Sequence, residues 1–143
     1  MKVPDANLLI YAVDEGAPHH RRAKQWLDGE LSGGETFAFT WAVLLAFLRL
    51  TTNPRVFEHP LTTAEAFDVV QGWLGRATVT VIGPTERHAG LLQELVDLAG
   101  TAGNLTSDAH LAAITIEHGA TLCSADRDLA RWSGLRRHNP LDP

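Results

Sequence analysis

The chain has 143 residues, 45% of them hydrophobic and 20% charged, which fits one globular domain able to bury about two-thirds of its unfolded surface. Seventeen acidic against twelve basic side chains give a net charge of −5, so any nucleic-acid binding must come from a local patch and not from the whole field. One cysteine, Cys123, excludes an internal disulfide and fits a reducing compartment.

Residues 1–4 can form only a brief strand, which ends at Asp5. Asp5, Ala6 and Asn7 then open an apolar helix over residues 8–13, and residues 16–18 break it with glycine and proline. The apolar run is too short to span a membrane. Asp5 before it and Asp14 and Glu15 after it are unlike a signal peptide, so a cytoplasmic protein is expected. A second helix, from about His19 to Asp28, carries Ala23, Trp26 and Leu27 inward. A turn over 32–35 leads to a strand over 36–39. The strongly apolar helix from Trp41 to about Thr51 carries Arg49 near its end, and it stops at Asn53 because the residue before Pro54 is pushed out of the α region.

Thr62 with Glu65 three positions on is a capping box, and the helix it opens should run to Leu74. Residues 78–82 alternate and are β-branched, hence a strand, and residues 84–99 follow as a helix. After a loop over 100–103 comes the most informative stretch, residues 103–129. Its helix is apolar around most of its circumference and should be largely buried, with Thr106 and Ser107 as cap oxygens and Gly119 as its left-handed stop. Residues 121–124 form a strand, with Asp126 just past its end. A short helix near 127–132 and an extended piece near 135–138 close the chain. Strands interleaved with helices, without repeats or a linker, predict a single α/β domain over residues 1–143 with a mainly parallel central sheet flanked by helices.

From Asp108 to the end of its helix the chain rises about 15 Å, and the extended return to Asp126 covers a similar distance. The two acids should therefore meet at the carboxyl edge of the sheet, the usual binding edge of an open α/β fold, where Asp5 also lies. Each acid taken alone is better explained as a helix cap or a dipole partner, because caps are common. Together, three carboxylates on one edge repel unless a cation sits between them, and oxygen-only donors suit Mg²⁺ or Mn²⁺. Asp128 is a candidate outer partner of that group.

The seven histidines lack metal-ligand spacing and read as exposed polar residues or helix-end cations. Ser107 and Ser124 have no nucleophile-elbow context, and no phosphate-binding glycine loop is present. Trp41, Trp73 and the apolar residues of 43–50 read as core or dimer surface. Arg49, Arg55, Arg127 and Arg131, near expected loop ends, are divided between solvated surface and phosphate contact.

VPDANLLIYAVDE, FLRLTTNPRVF, GNLTSDAHLAAITIEHGATLCSADRDL and GLRRHNPL, in that order and across nearly the whole chain, resemble the PIN-domain ribonucleases, specifically the VapC toxins of toxin–antitoxin pairs. The resemblance implies a PIN-like fold and a Mg²⁺- or Mn²⁺-dependent endoribonuclease. It also implies a homodimer with an RNA substrate, and a small VapB-like antitoxin that blocks the active site. On it Asp5, Asp108 and Asp126 fall on family acids, as metal-binding and catalytic residues, and Thr51, Asn53, Arg49 and Arg55 become candidates for RNA-backbone contact. The acid that the wider family often carries just before Phe-Leu-Arg is Ala46 here. Glu35 should lie at the opposite end of its strand and replaces nothing. A catalytically weakened module that binds antitoxin or RNA is the alternative. A phosphatase using Asp5 as nucleophile is disfavoured, because Asn7 stands where a second aspartate is expected.

Overall fold

The computed structural model describes residues 1–100 and 102–143, and at Asn104 the backbone alone. Five parallel strands and six α-helices are found among the described residues: β1 (Lys2–Pro4), α1 (Ala6–Val13), α2 (His20–Ser32), β2 (Phe37–Phe39), α3 (Trp41–Thr51), α4 (Thr63–Leu74), β3 (Val79–Val81), α5 (His88–Ala99), α6 (Thr106–Glu117), β4 (Thr121–Cys123) and β5 (Arg137–His138). Short 3₁₀ turns, Gly103–Leu105 and Arg127–Arg131, precede α6 and follow β4. The sheet order is β3-β2-β1-β4-β5 and every pairing is parallel. The chain lays strands outward on one side of β1 and then crosses to the other, which makes the β1/β4 junction the topological switch point.

Each strand is short because it is buried by its neighbours and not by its own length. Phe37, Ala38 and Phe39 are wholly buried, and their rings form the centre of an aromatic chain. Trp26 of α2 meets Phe37 edge-on at 5.7 Å, Phe37 meets Phe39 at 5.4 Å, and Phe39 stacks on Trp73 of α4 at 5.6 Å. Phe47 of α3 closes against Trp73 at 4.9 Å. Rings at these separations add edge and stacking attraction to the burial itself, and so tie α2, α3 and α4 to β2. Leu141, near the end of the chain, belongs to the same core as Val3 near its start.

The helix boundaries follow their caps. Asp5 accepts a hydrogen bond from the Ala6 N–H, and Thr40 accepts from Val43 N–H. The Thr62–Glu65 capping box is complete in both directions. α2 runs four residues past the expected end at Asp28, through Gly29 to Ser32, because Leu31 adds a buried position on the same face as Ala23 and Leu27. α5 begins at His88 and not at Pro84, since Thr85 is engaged elsewhere: its N–H and hydroxyl donate to Glu117, and its hydroxyl accepts from Arg87 N–H. Thr106 and Ser107 lie inside α6 and not at a cap. The Gly103–Leu105 turn runs straight into the helix, and the Thr106 hydroxyl donates back to the Gly103 carbonyl. Within the expected 100–103 loop, Thr101 lies outside the described residues. α6 is buried along most of its length, and Gly119 ends it at φ +62°, a left-handed conformation that favours glycine.

Candidate active site

The register of three strands builds the site. Lys2 lies opposite Phe37, and Pro4 opposite Cys123, so one step beyond the strand ends Asp5 and Ser124 stand side by side, with Thr40 flanking them. The Asp5 N–H donates to the Cys123 carbonyl at 2.8 Å, which carries the β1–β4 ladder up to the acid itself. The Ser124 hydroxyl then acts as a hub. It donates to Asp5 Oδ2 at 2.8 Å and accepts from Asn7 Nδ2 at 3.1 Å and from Asp126 N–H at 3.0 Å. With both its lone pairs engaged, its one proton must go to Asp5. Asn7 completes the clamp by accepting from Ala125 N–H through Oδ1.

The first turn of α6 brings Asp108 to this edge. Burial raises the pKa of the Asp108 carboxyl above its ordinary value, and the charges of Asp5 and Asp126 add to that. Arg131 opposes the rise and Asp128 reinforces it, so all four acids and one arginine share a single field. Asp5 is also raised, first by burial; its bonds from Ser124 and Ala6 N–H pull the other way, and the charge of Asp126 adds to the rise. Asp126 accepts Asp128 N–H at 2.9 Å through Oδ1 and so caps the 3₁₀ turn.

The donor chemistry fits a hard divalent ion: carboxylate oxygens, mutual repulsion that a cation would relieve, and a partly dry setting. Among the described residues, however, no three His, Cys, Asp or Glu side chains are grouped closely enough to hold one ion. Ala46 is half-buried on α3 and supplies no oxygen. Glu35 binds the chain's N-terminal ammonium at 3.0 Å, at the amino end of β1, as its position before the strand implied.

Several expected contacts are not brought to this edge. α3 starts beside Thr40 and runs away from the site for about 16 Å. Thr51 ends it buried, with its hydroxyl donating to the Phe47 carbonyl, which removes Thr51 as an RNA-backbone contact. The Asn53 side chain accepts Arg55 N–H in the turn beyond. Arg49 and Arg55 are exposed there, whereas Arg131 is the cation whose charge reaches Asp108. A cleft of about 590 Å³ also lies at that far end, between Val13, Phe57 and Leu61; its acidic rim of Asp14, Glu15 and Glu58 would repel phosphate.

Ser124 and Asn7 are the residues that sequence reasoning missed. Neither fits a nucleophile motif, and neither is one: they position Asp5 and Asp126. The available signal was their place, each two residues from an acid and just past a buried strand or at a helix start.

An open parallel sheet flanked by helices, with a crevice at the carboxyl ends of its strands where the order reverses, defines the class of α/β domain that binds its ligands at that edge. The family model described as the PIN domain matches residues 2–135. The chain is 43% identical over 140 residues to the ribonuclease VapC37 of Mycobacterium tuberculosis, covering 98% of this chain and 97% of that one. It is 41% identical over 141 residues to ribonuclease VapC33 of the same species, covering 99% of each. Among solved structures, the fold matches VapBC2 from Rickettsia felis bound to a promoter DNA fragment, at TM-score 0.68 and 19% identity over 96% of this chain and 97% of that one. It also matches Mycobacterium tuberculosis VapC20, described as a sarcin–ricin loop cleaving toxin, at TM-score 0.62 and 18% identity over 95% and 99%. The chain belongs to the PIN-domain family, and within it to the VapC ribonucleases. No helix among the described residues is long and apolar enough to cross a membrane.

The raised acids set a pH dependence. A carboxyl whose folded pKa is raised holds its proton more tightly in the folded chain, so it supports folding below its unfolded value and loses that support as pH rises through the folded value. In EDTA, Asp5→Asn keeps the capping oxygen and should melt higher than the parent, by a margin that grows from about pH 4 to pH 7. Melting curves over that range check it; a margin that is constant with pH would remove Asp5 as the source.

Proposed function

We propose that this protein is the toxin of a type II toxin–antitoxin pair, a Mg²⁺- or Mn²⁺-dependent endoribonuclease that hydrolyses RNA phosphodiester bonds and is neutralised by a small VapB-like antitoxin. What carries the reading is the convergence of Asp5, Asp108 and Asp126 on the switch point of a chain whose full-length relatives bear ribonuclease names. Asp5 and Asp108 are the residues that would hold the ion, with Asp126 as a further ligand or as the acceptor that orients the attacking water. A divalent ion there supplies Lewis-acid polarisation of the phosphate and lowers the pKa of a water. Ser124 keeps Asp5 turned toward the site, and Asn7 keeps Ser124 in place. Asp128 holds the turn behind Asp126 through its N–H. Arg131, whose charge reaches Asp108, and Arg127 on the same turn would contact the scissile strand, and Arg49, Asn53 and Arg55, at and just past the end of α3, would contact backbone further away.

Purified protein with Mn²⁺ should cut single-stranded RNA, and Asp5→Asn and Asp108→Asn should each lower the rate at least a hundredfold while folding normally. Either variant cutting at near the parent's rate would overturn the assignment. An inactive parent that still binds RNA or antitoxin would instead establish the weakened module.

α3 exposes Trp41 and Leu45, one turn apart and 49% and 57% accessible. This apolar pair supports the homodimer, since it lies on a helix whose other face is already in the core. Light scattering at tens of micromolar should give a dimer mass, and Leu45→Glu should shift it to monomer; a parent that is monomeric at that concentration would count against the pairing.

The residue at position 46 tests the departure from the family pattern. Ala46→Glu should tighten Mn²⁺ binding and reduce the Mn²⁺ needed for cleavage, because it adds an oxygen and a charge near the ion. It should also destabilise the metal-free protein, so its melting temperature should climb more steeply with Mn²⁺. Unchanged affinity with an unchanged melting response would place position 46 away from the ion.

A further inference from the structure

Where α5 and α6 face each other they pack around a second set of ionisable groups. Glu117, in the last turn of α6, has a side chain with 0% exposure. It accepts Thr85 N–H at 2.8 Å and the Thr85 hydroxyl at 2.6 Å through Oε1, and His88 Nδ1–H at 2.5 Å through Oε2. That bond fixes the His88 tautomer: with its proton on Nδ1, a neutral ring presents a bare Nε2. Nε2 points at His110 Nδ1, 2.9 Å away, across from α5 to α6. The rings meet at 87° with centroids 4.8 Å apart.

A histidine whose outer nitrogen is held by a buried carboxylate, leaving the other nitrogen aimed at a second imidazole, is the arrangement that orients metal-binding histidines. We propose that His88 Nε2 and His110 Nδ1 form a two-imidazole site for a divalent transition ion, separate from the carboxylate edge. With both rings neutral and no ion bound, His110 Nδ1–H donates to His88 Nε2. To bind, His110 transfers that proton to its own Nε2 through solvent, so both facing nitrogens carry lone pairs and no net charge changes on the protein. Ligand bonds of about 2.0–2.1 Å to nitrogens at the observed separation subtend about 90°, which suits the tetragonal geometry of Ni²⁺ or Cu²⁺. Tetrahedral Zn²⁺ needs the nitrogens about half an ångström further apart and should bind less well. Water completes the coordination, because among the described residues no third His, Cys, Asp or Glu joins the pair. His110 is half-buried and open to that water. A hard ion such as Mg²⁺ has little affinity for imidazole, so the two sites discriminate by ligand softness. The site stands whether or not the protein cleaves RNA.

The test uses untagged full-length protein in excess Mg²⁺. Calorimetric titration with Ni²⁺ should show one ion per chain, retained in Asp5→Asn and weakened at least tenfold in His110→Ala. His110→Phe, which keeps the ring packing against His88, should lose binding equally and guards against a folding artefact. Cu²⁺ loaded into the parent should give electron paramagnetic splitting from two imidazole nitrogens, reduced in either His110 variant. Parent-like Ni²⁺ affinity in His110→Phe, loss of binding in Asp5→Asn, or a Cu²⁺ signal without imidazole nitrogen would each overturn the proposal.

Discussion

The parallel pairing of β1 with β4 is the constraint on which the rest depends. These strands are adjacent in the sheet but more than a hundred residues apart in the chain, and only their pairing places Asp5 beside Ser124. The Ser124 hydroxyl turns this register into chemistry, because one oxygen binds Asp5, Asn7 and Asp126 together. A slip of one residue would send every side chain of β4 to the opposite face and separate the hub from the acid. The buried pattern of Val3, Leu122 and Cys123 opposes such a slip, so the hydrophobic core sets the geometry of the polar edge.

Much of this was legible from the chain. Helix α3, the Thr62 capping box and the left-handed Gly119 follow from local chemistry, and the structure has each where periodicity and caps place it. The charge of Asp126 reaches Asp108, and a helix and its returning strand of similar reach bring their ends toward one edge. What escaped were contacts between distant segments. Nothing local to Pro84 signals that Thr85 will be captured by Glu117 and delay α5 to His88. Thr51 read as a polar residue at a loop entry, yet its hydroxyl folds back onto its own helix and its side chain is buried. The contact between His88 and His110 escaped for the same reason, because their spacing in sequence does not report that α5 and α6 lie face to face.

Helix α6 carries two polar demands on one apolar rod. At its start Asp108 faces other acids, where burial and repulsion both oppose ionisation. At its end Glu117 is more deeply buried, yet its pKa is lowered, because the bonds from Thr85 and His88 outweigh the desolvation that opposes them. The contrast shows what decides the state of a buried carboxyl. Donors directed at it favour the charge, and neighbouring carboxylates disfavour it. The charged form of the Glu117 end is therefore satisfied within the fold, whereas at the Asp108 end burial and neighbouring acids oppose the charge and Arg131 only partly offsets them.

That imbalance bears on the alanine at position 46. A site with four carboxylates would bind a cation more tightly but would leave a larger repulsion in its absence, and folding would then depend on the ion. With three facing acids, Asp128 alongside and Arg131 in the same field, the repulsion is smaller and partly offset. The hub at Ser124 then has a second role: its hydroxyl stabilises the ionised form of Asp5 when no cation is present. Removing an acid and retaining a donor act in the same direction, both lowering the stability cost of an open, ion-free edge.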